Sequence, residues 1–264
     1  MKDRLKITFI LLTGIILSAS PYLPANPTTT AMLAAVARKN VVEGGGGDIT
    51  LTHLTNDEGT SDPGTTASIS PTASEILVMT GWVSVVGGGT TSDANPELVP
   101  TGPTGITWTL QGYQTYGGRR AVYLWTGTGA SPSSGTVSID FTSDTASTFE
   151  SMKWSIEQGT NIDTTTPVSN YVETSADSAG PATVTITGTV DSGDWTFAAV
   201  GYESDDTLTA EAGWTVLFED ETGTGVRSNT AIYDDTATID QTPSVTLGSS
   251  GGWGILGVIL EKAP

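Results

Sequence analysis

From Asp48 onward the chain places its apolar residues in short runs rich in Val, Ile, Thr, Trp and Tyr, cut by Gly, Pro, Asp and Ser, and no stretch keeps helical spacing. In the first part the runs predict strands at Asp48–Leu54, Thr66–Ser70, Glu75–Ser84, Ile106–Thr115, Gly118–Gly127, Gly135–Thr142 and Phe149–Gln158. In the second part they predict strands at Pro167–Glu173, Ala182–Thr189, Asp194–Glu203, Gly213–Asp220, Gly225–Tyr233, Pro243–Leu247 and Gly252–Glu261. Several alternate cleanly: Val137, Ile139 and Phe141 share one face, with Ser138 and Asp140 on the other. Val184 and Ile186 alternate with Thr183, Thr185 and Thr187 in the same way. One-sided strands of this kind belong to antiparallel sheets with one wet face.

The strand pattern runs twice. Gly81-Trp82 matches Gly201-Tyr202, and Trp108-Thr109-Leu110 matches Trp214-Thr215-Val216. Arg119 precedes Val137 by 18 residues, as Arg227 precedes Val245. Each half closes on an apolar run ending in glutamate, Glu157 or Glu261. Order and spacing hold across five strands, so the chain from 48 to 264 is read as a duplication, approximately 48–158 and 159–264. The short linker Gly159–Pro167 favours one continuous jelly-roll-like antiparallel β-sandwich, with two abutting domains as the alternative.

Residues 1–43 form a separate arm, joined to the sandwich by the four glycines 44–47. A basic start, Met1–Lys6, leads into a 13-residue apolar run, Ile7–Ala19. That run fits a secretory signal and is too short for a stable membrane span of about 20 residues. Small-residue spacing allows cleavage at Ser18-Ala19-Ser20, which Pro21 opposes, or at Ala35-Val36-Ala37. The competing reading keeps the arm, with Ile7–Leu17 and Ala31–Lys39 as short helices docked on a neighbouring subunit.

Charge separates the same two regions. Residues 1–39 sum to +4 and the rest to −23, together the −19 of the whole chain. A body this acidic repels phosphate backbones, so nucleic acid is excluded as its partner. With no cysteine, disulfides, thiolate metal sites and thiol catalysis are all absent.

Candidate chemistry is sparse. The single histidine, His53, sits in a strand, and no G-x-S-x-G or H-E-x-x-H motif is present. Glu150, Glu157 and Glu203 are the inward-facing carboxylates from which a glycan-cleaving pair would be drawn. No cofactor is expected other than calcium, for which Asp205, Asp206, Asp234 and Asp235 are the candidate ligands at turns. Tyr113 and Tyr116 flank a glycine hairpin beside Arg119 and Arg120; these four make the candidate ligand-binding set, with the tyrosines as exposed stacking faces. Because Arg227 repeats Arg119, the same arginine also suits a structural role. The long Gly/Pro segment Val86–Gly105 is read as an insertion loop in the first half.

In order along the chain, Glu75-Ile76-Leu77-Val78, Trp108-Thr109-Leu110, Gly117-Gly118-Arg119-Arg120, Gly135-Thr136-Val137-Ser138-Ile139, Asp163-Thr164-Thr165-Thr166-Pro167-Val168 and Ala212-Gly213-Trp214-Thr215 carry a resemblance. They resemble a β-sandwich module that recurs in tailed-phage structural proteins (decoration, fibre or tail-associated) and in some bacterial surface proteins. The resemblance spans Ala67 to Glu261 and implies a fold more than a function. It implies a non-enzymatic structural protein at the virion surface, whose partners are other virion proteins or copies of itself. The alternative is a secreted or cell-surface sandwich that binds a cell-surface glycan.

Overall fold

The computed structural model describes residues 48–86, 97–142, 148–177, 180–203, 208–220, 228–234, 239–247 and 251–264, all within the compact unit Gly45–Pro264. The N-terminal arm, the glycine joint and Arg227 lie outside the described residues. Among those described there is no helix.

The first half contributes β1 (Thr50–Gly59), β2 (Gly64–Thr65), β3 (Ile76–Val86), β4 (Glu97–Thr101), β5 (Thr107–Tyr116), β6 (Arg120–Thr128), β7 (Ser138–Thr142) and β8 (Thr148–Thr160). The second contributes β9 (Val168–Ala176), β10 (Ala182–Thr183), β11 (Trp195–Tyr202), β12 (Leu208–Ala210), β13 (Thr215–Asp220), β14 (Ser228–Asp234), β15 (Ser244–Leu247) and β16 (Trp253–Leu260). Every pairing is antiparallel.

In the first half the sheets are β1-β8-β3-β6-β5 and β2-β7-β4; in the second they are β9-β16-β11-β14-β13 and β10-β15-β12. Each label of the first set, raised by eight, reproduces the second. The duplication therefore holds strand by strand. This is jelly-roll order, with the fifth strand of each half paired to the sixth.

Three cores define the layering. One fills the first half between its two sheets, around Leu77, Met79, Tyr123, Trp125, Ile139 and Trp154. Another fills the second half, around Val200, Tyr202, Trp214, Val245 and Ile255. The third lies between halves, where Ile76, Val78, Val122 and Leu124 meet Phe197, Leu256, Val258 and Leu260. The favoured single continuous sandwich is thus corrected: each half closes its own sandwich, and the two five-stranded sheets pack face to face. The physical reason lies in the central strands. β3, β11 and β16 are buried along nearly their whole lengths, so both faces of each inner sheet need cover. The cleanly alternating segments Val137–Phe141 and Val184–Ile186 instead lie at the outer, three-stranded layers.

The inner sheets stack across the core between the halves. β5 lies over β9 and β16, β6 over β16 and β11, and β3 and β8 over β14. The first-half backbone enters at Asp48, whose carbonyl accepts from Asn161 Nδ2 at 2.9 Å and whose carboxylate faces Lys262 Nζ at 3.9 Å. At the opposite end of the strands lie the β5–β6 hairpin, Glu203 and Gly252.

Two further expectations change. The segment Val86–Gly105 is not wholly a loop, since β4 lies within it and pairs with β7. Pro100 is tolerated there because β4 is an edge strand. The register also separates the two closing glutamates. Glu157 pairs with Val78 of the core between the halves, and the β11 residues of that same core, Phe197 and Ala199, pair with Val258 and Leu256, so Glu261 is not its counterpart.

Candidate functional site

Tyr116 and Arg120 belong to the seam between halves. The hairpin that joins β5 to β6 turns through Gly117 and Gly118, both left-handed at φ 58° and 65°. Tyr116 is buried, and its hydroxyl accepts the indole N–H of Trp82. Gly117 N–H donates to Asp177 Oδ1 at 2.7 Å, and Arg120 forms an ion pair with Glu203 of the second half. Tyr116 therefore offers no exposed stacking face, contrary to expectation; the hairpin is pressed onto the other half. Tyr113 is half-buried, its ring stacked on Tyr123 at 5.8 Å. Arg119 is exposed at the tip, its carbonyl accepting from Val85 N–H at 3.0 Å. The four candidate residues follow one another along the chain, and the fold then separates their surroundings.

The strongest electrostatic arrangement lies on β1 and β8. Glu157 is fully buried, and His53 Nδ1 sits 3.1 Å from its Oε1. Ser155 Oγ donates to the same oxygen, and His53 Nε2 faces Asn56 Oδ1 at 3.0 Å. Glu157 Oε2 is buried with no partner among the described residues. Both histidine nitrogens face oxygen acceptors, which suits the imidazolium. Its pKa is raised, chiefly by the hydrogen bond to Glu157, and desolvation raises that of Glu157. Serine and histidine converge on one carboxylate oxygen, so the histidine does not lie between serine and acid as nucleophile activation requires. Four residues along β8, buried Lys153 pairs with Glu58 at 3.5 Å.

Glu150, Asp234 and Asp194 serve as struts. Ser84 Oγ donates to Glu150 Oε2 at 2.6 Å. Asp234 is buried, and its Oδ2 accepts the Asp240 N–H at 2.6 Å. Asp194 accepts the Lys262 and Asp191 N–H groups, each at 2.8 Å, tying the C-terminal segment to the start of β11. Desolvation nevertheless raises its pKa. Asp205, Asp206 and Asp235 lie outside the described residues, and among the described residues no group of three His, Asp or Glu side chains is placed to hold a metal ion.

A surface groove of about 370 Å³ runs along the seam where β5 lies over β9, lined by Leu110, Gln111, Tyr113, Gln114, Tyr171 and Glu173 among others. Of these only Tyr113 was singled out from the sequence. The rest are ordinary strand residues until β9 is stacked beside β5, which no local pattern reports. A second groove of similar size, lined by Ser74, Glu75, Thr107, Thr128 and Thr164, lies at the end where the chain enters.

No protein-family model, no curated protein and no solved structure matches this chain.

Proposed function

We propose that this chain is a non-enzymatic structural component of an assembled surface, foremost a virion surface, as a capsid decoration, head-fibre or tail-associated protein. The N-terminal arm attaches it, and the acidic double sandwich is displayed outward. The observation that carries this reading is the polarity of the body. Its chain enters beside Thr160 and Lys262, while the β5–β6 hairpin lies at the far end of strands as long as the 11 residues of β3. That is a separation of roughly 35 Å. Acidity supports the same reading, since −23 on the residues after 39 keeps densely displayed copies apart.

The test uses purified particles and the full chain. Mass spectrometry is expected to find the chain on particles with Met1 to Lys39 intact. A variant lacking residues 1–44 should keep its melting temperature and lose attachment. A chain recovered only from the culture medium, starting after Ser20 or Ala37, would instead support the secreted alternative and overturn this one.

A further inference from the structure

The β5–β9 groove has the makings of a ligand site. The Tyr171 ring lies against Gly112, where an added Cβ would fall 1.9 Å from its Cε2, so only a glycine leaves room for it. Its hydroxyl lies 2.9 Å from the Tyr113 carbonyl and within hydrogen-bond reach of Glu173. Held at its tip, the ring still stands 36% exposed, as does Leu110. These are two of the four large apolar side chains exposed among the described residues, and both line this groove. A pre-positioned aromatic face loses little entropy on binding.

The polar lining accepts hydrogen bonds more than it donates them. Gln111 Nε2 donates to Thr126 Oγ1 at 2.6 Å, and Gln114 Nε2 donates to the Thr115 carbonyl at 2.7 Å and to Ser175 Oγ at 3.1 Å. Those bonds leave both amide oxygens as acceptors beside the Glu173 carboxylate, with one N–H of Gln111 as the remaining amide donor. Among the described residues no cation lines the groove, and the surrounding body is strongly acidic. The complementary ligand has a flat C–H face, several hydroxyl donors and no negative charge.

We infer that the β5–β9 groove binds a neutral glycan, with Tyr171 against a sugar face and Gln111, Gln114 and Glu173 accepting its hydroxyls. This inference is independent of the structural reading: a chain found on no particle would still hold the sugar here. The full chain is screened against immobilised neutral oligosaccharides (glucose, galactose, mannose and N-acetylglucosamine oligomers), and the best retained is titrated by calorimetry. Tyr171→Ala is expected to weaken binding roughly tenfold and Tyr171→Phe much less, because the ring face is kept. Glu173→Gln and Leu110→Ser, at exposed positions, should each weaken it with an unchanged melting temperature, and they carry the test if Tyr171→Ala fails to fold. Retention of no neutral oligosaccharide at millimolar concentration, preference for acidic ones, or affinity unmoved by these changes would overturn the inference.

Discussion

Glu157 shows how a single residue can decide the pH response of a fold. Its carboxyl is fully buried on β8 and its direct ionisable partner is His53, which is partly open to solvent. Both groups have raised pKa values, so across the window they set the folded protein holds protons that the unfolded chain releases. Their contribution to stability is complete at acid pH. It falls as pH rises above the ordinary Glu157 value of 4.5, and falls again above the His53 value of 6.5, through the raised folded values. The melting temperature of the wild type should therefore decline from pH 5 to pH 8.5. His53→Gln should lower stability at pH 6 by roughly 1–3 kcal/mol, the cost of a lost buried hydrogen bond. It should also flatten the decline above pH 6.5. Glu157→Gln removes the buried charge and should leave the protein more stable than wild type at alkaline pH. Thermal melts of the three proteins over that range check all of this, and a wild type that gains stability towards pH 8.5 would contradict it.

At the scale of elements, the β5–β6 hairpin joins the halves through its turn. Gly117 and Gly118 have similar left-handed backbones, but their surroundings differ. A Cβ on Gly117 would lie 2.3 Å from Glu203 Oε1, whereas nothing lies within 4 Å of one on Gly118. Gly118→Ala should cost about 1 kcal/mol from backbone strain alone. Gly117→Ala should cost about 1–3 kcal/mol more, because the Arg120–Glu203 pair must shift. Urea denaturation of both variants measures the difference, and equal losses would mean that the hairpin is not docked. The longer strands were legible because apolar runs and glycine breaks mark them. β2, β4 and β12, with two, five and three residues, were not. Segments of two or three residues hold too few side chains to show a period, and in β4 Pro100 reads locally as a breaker. They become strands only because β7 and β15 offer them partners.

For the whole molecule, the decisive contact is between two sheets that each belong to a complete sandwich. The shared core of Ile76, Val78, Val122 and Leu124 with Phe197, Leu256, Val258 and Leu260 should make the halves unfold together. Calorimetry of residues 45–264 is expected to show one transition, with calorimetric and van't Hoff enthalpies equal; two resolved transitions would sink the expectation. Residues 48–158 alone would expose the inner face of β3 and β6, and should self-associate in size-exclusion chromatography. The amino-acid sequence by itself determined the all-β class, the duplication and the division between a basic apolar arm and an acidic body. These follow from side-chain period, spacing and charge, which are local properties. Tertiary structure alone decided that there are two sandwiches, that Tyr116 and Arg120 are spent on the seam, and that Tyr171 and Glu173 meet Gln111 and Gln114. Those outcomes depend on which faces stack, and stacking joins residues some 60 positions apart, such as Gln114 and Ser175, that share no local pattern.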